Sequence, residues 1–425
     1  MPDQIESKDK LQQNGIGKTE KKPNDLINKA LFVLLLLFSL HFWEIRYFPE
    51  LYNIYNLVTW AVCGYSMIVV FQNKDLNFKV PIVIFIIGIF FNAIAAYINF
   101  GQSPYRTILA FEFYYFILLY FLLHFLKPSR NFVENIILIF AYLYAAFFII
   151  TYKNLFGLDL FVRNVDTATM EKQLEIIGHG FLMLAFYLLL NRYLTTSRLI
   201  YIALILPLFL ALLRCGFRTL IAAAVLVAFF MVIRMIRFSI KDFAILVFIT
   251  LVVIGLTQNE QVIKVYNNMV TKTQGDIKEG NKYVRLVELE FFYKRYPENI
   301  SYYIFGGGRP SGANLYTFDR SKIGLNYNIV WVDIGLLGFY MVIGGITTLG
   351  LLWYTFKAIF FKLPRDGRYL GFYFLYLFIA SFANEEIFRN GIFSVHAIAL
   401  YLIDTIHKTE AESGTKSLIG IPESG

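Results

Sequence analysis

Two arginines, Arg214 and Arg218, flank a tight turn that leads into an apolar stretch of the sequence. A helix that begins at this turn offers unpaired backbone N–H groups, which together with two guanidinium groups would form a site for a phosphate. The alternative is that each side chain only extends from a helix end to interfacial water and lipid phosphate. The first interpretation predicts an anion site, and the second predicts only an anchor.

A second group of candidate residues lies between positions 281 and 309. Arg285 and Glu288 fall in an aromatic, amphipathic stretch that we expect to form a short helix ending before Pro297. The two residues form either a surface ion pair worth about 0.5 kcal/mol or part of a helix that lies on a membrane and presents Arg285 to a ligand. The glycine run before Arg309 allows the backbone to turn sharply or approach a neighbour closely, but no Gly-Lys-Ser/Thr follows, so it is not a nucleotide loop.

The elements that carry these residues follow from composition. The chain has 425 residues, of which 57% are hydrophobic and 16% charged, whereas an ordinary soluble domain has about 25% charged residues. Apolar residues form blocks of about 20, the length that a helix needs to cross a bilayer. The clearest blocks are Leu31–Leu40, Val80–Ile98, Ile108–Phe125 and Ile200–Leu213. The sequence therefore predicts an all-α integral membrane protein, a polytopic bundle of about 12 transmembrane helices.

Twelve segments are predicted to span the membrane. They are 28–46, 51–71, 80–99, 105–126, 132–151, 176–194, 198–213, 218–236, 240–256, 329–354, 368–384 and 390–405. The chain thus divides into a disordered cytoplasmic tail at 1–25, nine helices within 26–256, a large extracytoplasmic loop at 257–328, three helices within 329–405, and a cytoplasmic tail at 406–425. The loop carries ten Lys and Arg residues and is expected to contain short amphipathic helices.

Positive charge predicts the orientation of the bundle. With the N-terminus inside, the short cytoplasmic connections hold most lysines and arginines, whereas the outer connections hold few, among them Arg46, Arg106 and Arg389. Both termini are therefore expected in the cytoplasm, and the long loop outside the cytoplasmic (inner) membrane. The net charge of +9 reports this orientation, so we expect no nucleic-acid partner.

Polar residues near the predicted spans are expected to cluster in the outer half of the bundle. They are Asn92, Glu112, Asn384, Glu385, Glu386, Arg389 and His396. Glu112 is costly inside a span, and its nearest candidate partner is Arg106, at poor helical spacing. The inner stretches Met67–Phe71, Leu118–Leu123 and Tyr187–Leu190 are mostly apolar, which favours a one-sided site. The sequence contains no zinc-helix or paired-aspartate motif on the outer face, so neither a metal nor a cofactor is expected.

Three local motifs resemble those of the bacterial O-antigen polymerase (Wzy-type) and O-antigen ligase superfamily. Leu212–Leu220 looks like the family's Ser-Arg-small element that opens a span. Arg285-Leu286, followed by Phe305–Gly308, is similar to the family's Arg-Leu, amphipathic helix and Phe-Gly-x-Gly. Asn326–Gly338 looks like its His-Asn, aromatic, acid and Gly-x-x-Gly entry into the next span.

The resemblance implies a membrane glycosyltransferase that joins oligosaccharides carried on undecaprenyl diphosphate at the outer face. Arg218 and Arg285 match the family's diphosphate-binding arginines, and with Glu288 they are the predicted catalytic residues. The predicted diphosphate- or glycan-binding residues are Arg214, Arg309, Gly307, Asn326, Asn328, Asp319, Glu385 and Arg389. The resemblance assigns no base, and Glu288, Asp319, Glu385 and Glu386 are candidates by location alone. Membrane lipid, a chain-length regulator and a flippase are the candidate partners.

Two alternatives remain open at this stage. The ligase branch of the family has a histidine where this chain has Leu325-Asn326, so the sequence favours a polymerase over a ligase. A transporter or flippase for a lipid-linked glycan would use the same arginines but would need polar residues that reach both sides of the membrane.

Overall fold

A computed structural model describes residues 24–44, 51–72, 75–153, 164–165, 172–173, 176–214, 218–235, 284–295, 299–309 and 331–418. Within these ranges the chain is almost entirely helical, which confirms the all-α class. The helices of the first part are α1 (Asn24–Ser39), α2 (Leu51–Gln72), α3 (Lys79–Phe100), α4 (Pro104–Ala110), α5 (Leu119–Leu126), α6 (Arg130–Lys153), α7 (His179–Thr196), α8 (Ile200–Arg214) and α9 (Arg218–Met235). Short 3-10 helices occur at His41–Glu44 and Glu112–Leu118, and β1 (Asn164–Val165) pairs with β2 (Lys172–Gln173) in antiparallel fashion.

The second part of the chain is also helical. Its helices are α10 (Val284–Glu290), α11 (Ser301–Phe305), α12 (Gly335–Ile343), α13 (Gly345–Phe360), α14 (Tyr369–Ala380) and α15 (Ile392–Leu418), with a π-helical turn at Phe291–Arg295 and 3-10 turns at Trp331–Ile334 and Glu386–Phe388. Helix α15 continues well past the predicted span end at residue 405. Residues 406–418, which fall in the predicted cytoplasmic tail, continue this helix, since an established helix propagates easily through polar residues of ordinary helix propensity.

Helix α3 is apolar on both its buried and its exposed faces. Phe85 and Ile89 are fully buried, whereas Ile94 and Ile98 are 51% and 74% exposed. A helix that is hydrophobic all round belongs to a protein interior or to a membrane, and none of the described residues covers this exposed face. The exposed face of α3 is therefore suited to lipid.

Two described helices are long and apolar enough to cross a membrane, α3 and the Arg130–Thr151 part of α6, and a third crossing is possible if the bent pair Pro104–Ala110 and Glu112–Leu126 counts as one. Shorter apolar helices also occur, at Leu26–Ser39, Leu57–Val70, Ile200–Leu213, Thr219–Met235, Trp331–Ile343 and Tyr369–Ala380. A bundle of about 12 spans stays a prediction.

Glycines on both helices bring α3 and α13 close together. A Cβ atom at Gly88 would lie 2.6 Å from the Thr347 backbone nitrogen, and one at Gly350 would lie 2.5 Å from the Phe85 nitrogen. Small residues at a helix interface let two backbones approach closely, which is the usual basis of packing where lipid replaces water. This glycine-mediated contact fixes α13 against α3.

Two predicted spans are not single straight helices. The fourth, 105–126, bends by 67° between α4 and the helix that follows Phe111. Beyond the bend, Glu112 accepts a hydrogen bond of 3.4 Å from the Tyr55 hydroxyl, a partner on another helix. The tenth, 329–354, breaks at Gly344, whose φ of +93° belongs to the left-handed region that favours glycine.

Charged side chains identify the two ends of the bundle. At one end Glu134 on α6 binds Arg130 at 2.7 Å and Arg192, near the end of α7, at 2.7 Å. At the other end His179, the first residue of α7, binds Glu386 at 2.7 Å. We call these the Glu134 end and the Glu386 end.

Candidate functional site

The connection between α14 and α15, residues 381–391, forms a tightly hydrogen-bonded turn at the Glu386 end. The Ser381 carbonyl accepts a bond of 2.8 Å from the Leu336 N–H, and the Ser381 hydroxyl oxygen accepts one of 2.7 Å from the Ile387 N–H. The Asn384 side-chain oxygen accepts a bond of 2.9 Å from the Glu386 N–H. Because main-chain and side-chain groups hold one another, the turn presents its charged residues in a fixed geometry.

Glu386 is the centre of a buried polar network. Its Oε1 lies 2.7 Å from His179 Nδ1 and accepts a bond of 3.2 Å from the Tyr376 hydroxyl, while its Oε2 lies 3.7 Å from Arg389 Nε. Burial raises the pKa of the Glu386 carboxyl, but the charges of His179 and Arg389 and the hydrogen bonds to the carboxylate lower it by more, to about 2 from an ordinary 4.5. Glu386 is therefore ionised at neutral pH and joins α7, α14 and the turn.

His396, further along α15, interacts electrostatically with Glu386. His396 Nδ1 lies 2.9 Å from the Tyr354 hydroxyl. The next residues of α15, Ala397 to Leu400, are apolar and fully buried. Asp404 follows two helical turns beyond His396, a rise of about 12 Å. On α15 one apolar turn therefore separates His396 from Asp404, which lies at the Glu134 end.

Polar groups are buried at both ends of the bundle, which corrects the expectation that they cluster in the outer half. Asp404 is fully buried and accepts hydrogen bonds from the Tyr120 hydroxyl and, at 2.8 Å, from the Asn77 amide. Tyr120 lies in the stretch Leu118–Leu123, which sequence composition had marked as apolar. Its single polar atom finds a distant partner, and a local composition window does not detect such a pairing.

Arg389 and Glu385 form the outer edge of the turn. Arg389 Nε lies 3.6 Å from Glu385 Oε1 and 3.7 Å from Glu386 Oε2. The Arg389 side chain is 10% exposed and the Glu385 side chain 24% exposed. The Arg389 guanidinium thus lies beside two carboxylates, of which Glu385 keeps access to the surface, and its role as a diphosphate- or glycan-binding residue stays a prediction.

Arg309 combines a fixed guanidinium with a position close to the turn. Helix α4 ends at Ala110, whose carbonyl accepts a bond of 2.9 Å from Arg309 Nη1, and Gln102 donates a bond of 2.8 Å to the Arg309 carbonyl. Arg309 is half-buried, and no carboxylate in the described part of the chain pairs with it. Arg309 and Glu385 both act electrostatically on Tyr114, so a cation and an accessible carboxylate lie near one aromatic side chain.

The glycine run before Arg309 is buried rather than exposed in a loop. The Gly307 N–H donates to the Met341 carbonyl at 3.3 Å, and the Gly308 N–H donates to the Val342 carbonyl at 2.9 Å. The Asn92 amide also donates to the Val342 carbonyl, at 2.9 Å. Because its backbone N–H is already used, Gly307 packs the chain against α12 and is not free to bind a ligand as predicted.

Close approach requires glycine at both sides of this contact. Gly306 has a φ of +76°, and a Cβ there would lie 2.5 Å from the Gly344 nitrogen. Gly308 has a φ of +87° and packs on the Ala96 side chain. The glycine run therefore approaches a neighbouring backbone closely, at the break between α12 and α13, and does not form the plain loop that the sequence alone favours.

Arg285 and Glu288 lie on the short helix α10, but they do not form a surface pair. Glu288 is fully buried, so the alternative of an exposed ion pair is wrong. Arg285 is half-buried and acts electrostatically on Asp333, in the 3-10 turn before α12. Burial of Phe292 fixes α10 and the π-helical turn to the core, so Arg285 is presented by a packed element.

The remaining predicted residues are only partly described. The backbone of Arg214 ends α8 and that of Arg218 begins α9, whereas their side chains lie outside the described residues. The residue after Arg218, Thr219, accepts a hydrogen bond of 2.8 Å from the Asn384 amide, so the start of α9 adjoins the turn. Asn326, Asn328 and Asp319 also lie outside the described residues.

Sequence patterns did not indicate His179, Tyr376 or Gln102 as members of the site. His179 and Glu386 are 207 positions apart, and neither belongs to a recognisable motif. The one indication in the sequence was that His179 lies near the start of a predicted span, where a histidine is energetically costly unless it is paired.

Two of the three motifs noted in the sequence contact the turn, through Thr219 with Asn384 and Gly335 with Ser381, and the other binds the far end of α12 through Gly308 and Val342. Compared with models of known protein families and with curated proteins, the chain gives no match. The resemblance to glycan polymerases and ligases therefore stays a prediction from the sequence motifs.

Proposed function

We propose that this protein is a polysaccharide polymerase of the cytoplasmic membrane, acting on O-antigen, capsule or exopolysaccharide repeat units carried on undecaprenyl diphosphate. In this proposal about 12 helices cross the bilayer, both termini are cytoplasmic, and the Glu386 end faces outward. A polymerase of this kind needs one site, open to the outer surface, that holds a diphosphate beside a sugar hydroxyl.

The observation that carries the proposal is the environment of Arg309. Its guanidinium is half-buried, donates to the Ala110 carbonyl, and has no carboxylate partner among the described residues. A cation fixed in a partly dry site without a counter-ion is suited to an anionic ligand. The N-terminus of α9, which begins at Arg218 and contacts the turn through Thr219, adds a second anion-favouring group.

The proposed reaction is a glycosyl transfer at the anomeric carbon of the donor. A hydroxyl oxygen of the acceptor glycan forms a bond to that carbon, and the carbon–oxygen bond to the diphosphate breaks. Undecaprenyl diphosphate leaves with the bonding electrons, and the hydroxyl proton passes to a base. Because a diphosphate is already a good leaving group, it needs charge stabilisation rather than protonation, which guanidinium groups supply.

Roles for individual residues follow from exposure and charge. Arg309, Arg218 and Arg285 are the proposed ligands of the diphosphate. Glu385 is the proposed base, because its side chain is 24% exposed and lies beside Arg389. Glu288, the base first suggested by the sequence, is fully buried and is less suited to contact a sugar hydroxyl.

An apolar cleft, lined in part by Phe305 four residues before Arg309, supports a lipid-linked donor. It has a volume of about 170 Å³ and lies between α3 and α11, lined mainly by Phe91, Ile94, Ile98 and Phe305. Phe305 begins the glycine run that leads to Arg309. The cleft is apolar, as a site for a polyprenyl chain would need to be, and it adjoins the segment that leads to Arg309.

The alternatives make different demands on the same residues. A ligase would use the same donor site and differ only in its acceptor. A transporter or flippase would need a polar route between the two ends, whereas the described residues Ala397 to Leu400 form an apolar turn of α15 between His396 and Asp404. The polar residues of this helix are therefore interrupted between the two ends, which favours an enzyme with a one-sided site.

Purified protein in lipid nanodiscs, supplied with undecaprenyl-diphosphate repeat units and a metal chelator but no nucleotide, tests the proposal. We expect a ladder of longer glycans and the release of one undecaprenyl diphosphate for each new linkage. Transfer only to a different acceptor would identify a ligase. If no glycosidic product forms and vesicles instead show movement of the lipid-linked glycan across the bilayer, the protein is a transporter.

A further inference from the structure

A basic cleft lies at the Glu134 end of the bundle, opposite the candidate site. It has a volume of about 260 Å³ and lies between α9, α13 and α14. Three cations line it, Arg234, Lys362 and Arg368, together with aromatic and aliphatic side chains such as Phe360 and Leu375. The cleft therefore combines positive charge with an apolar wall.

The three cations of the cleft are not neutralised by the described residues around them. None of the residues that line the cleft is acidic, and no described carboxylate forms an ion pair with the three. The nearby acid Asp366 binds Arg130 at 2.6 Å. Arg365, which is also nearby, donates to the Met235 carbonyl at 2.6 Å, so it fixes the end of α9 beside the cleft.

The cleft borders the first turn of α14. Gly371 lies in that turn and lines the cleft, and a Cβ there would lie 3.2 Å from the Ile359 carbonyl oxygen. The first turn of α14 therefore packs closely against the end of α13 at the cleft, and a helix N-terminus favours an anion. This feature adds to the charge of the three side chains.

The outer wall of the cleft is suited to acyl chains. Phe360 is 77% exposed, and Ile233 beside Arg234 is 58% exposed. Large apolar side chains next to uncompensated cations match a ligand that has an anionic head and an apolar tail. Basic pockets between transmembrane helices are known to bind such lipid head groups.

We propose that this cleft binds the phosphate head group of an anionic membrane phospholipid, with its acyl chains along Phe360 and Ile233. Lipid binding here is independent of the reaction carried out at the opposite end. It would give the bundle a preference for anionic membranes and would hold α9 against α13 and α14.

The test compares two charge-matched triple variants of the full-length protein. The first, Arg234→Gln with Lys362→Gln and Arg368→Gln, removes the cleft cations. The control, Lys127→Gln with Arg198→Gln and Lys408→Gln, removes three exposed cations at the same end. Cardiolipin binding is measured by native mass spectrometry of the detergent-solubilised protein. With about fivefold in affinity for each cation near an anionic lipid, we expect cleft variants to bind about a hundredfold more weakly and the control to bind like the wild type.

Further arms separate the lipid from other sources of phosphate and from general electrostatics. We expect glycerol phosphate at millimolar concentration neither to bind nor to displace cardiolipin, and a zwitterionic phospholipid to bind weakly to all three proteins. Equal losses in both triple variants would overturn the proposal, because net charge alone would then explain binding. Displacement of cardiolipin by free glycerol phosphate would also overturn it. If the cleft variant fails to fold, the single variants at Arg234 and Lys362 give the same comparison.

Discussion

Replacing Arg309 with glutamine separates its structural role from its proposed chemical role. The bond of 2.9 Å from Nη1 to the Ala110 carbonyl is worth on the order of 1 kcal/mol to folding, so the melting temperature should fall by only a few degrees. A bond from a guanidinium to a leaving diphosphate is worth about 1.5–3 kcal/mol, and two such bonds together correspond to at least a hundredfold in rate, roughly. Arg309→Lys keeps the charge but loses the planar fork and should be intermediate.

The matched control is Arg106→Gln, on the same short helix α4 as Ala110. Arg106 is exposed, and its replacement changes the net charge by the same amount. Ladder formation and thermal unfolding are measured for both variants in the same detergent. The reasoning is refuted if Arg309→Gln polymerises at the wild-type rate, or if Arg106→Gln loses as much activity as Arg309→Gln.

Three further predictions concern the turn and the glycine contact. Glu385→Gln should slow polymerisation by about a hundredfold or more and remove the acidic limb of the pH–rate profile. The control Glu290→Gln, at an exposed position, should change neither the rate nor the profile. An unaltered pH–rate profile for Glu385→Gln would exclude Glu385 as the base. Glu386→Gln should destabilise the protein by about 3 kcal/mol in thermal unfolding, because it leaves buried cations without their carboxylate, and a wild-type melting temperature would contradict this. Gly306→Ala should lower the free energy of unfolding by roughly 2 kcal/mol or more, because Gly306 has a φ of +76° and a Cβ there would lie 2.5 Å from backbone. Gly64→Ala, where nothing lies within 4 Å of the added Cβ, should leave the free energy of unfolding unchanged or slightly higher.

The long apolar helices could be read from local sequence. The predicted spans 80–99 and 132–151 correspond closely to α3 and to the apolar part of α6. This agreement has a physical reason, since a helix that crosses lipid must satisfy its own backbone and needs only an unbroken apolar length.

The breaks in the fold could not be read in the same way. The bend at Phe111 exposes the Ala110 carbonyl, which Arg309 binds, and the break at Gly344 receives Gly306. The partner at the bend is about 200 positions away in the sequence, and the partner at the Gly344 break about 40 positions away. A short sequence window around either break does not contain its partner.

The sequence indicates individual candidate residues of the site but not the ion pairs and hydrogen bonds between them. Arg309 and Glu385 were recognised as candidates from their types and locations. The partner of Glu386, His179, lies 207 positions earlier, and a pairing at that separation depends on how α7 packs against α14. For the same reason the sequence did not reveal that Arg389 lies beside two carboxylates.

The proposed reaction requires the Glu386 end to face the outside of the cytoplasmic membrane, and cysteine labelling in intact cells tests this most directly. In a background without Cys63 and Cys215, single cysteines replace exposed Asn299, near Arg309, and exposed Ser129, at the Glu134 end. We expect a membrane-impermeant maleimide to label the cysteine at position 299 in intact cells and the one at position 129 only after permeabilisation. The opposite pattern would place Arg309 in the cytosol and contradict polymerisation at the outer surface.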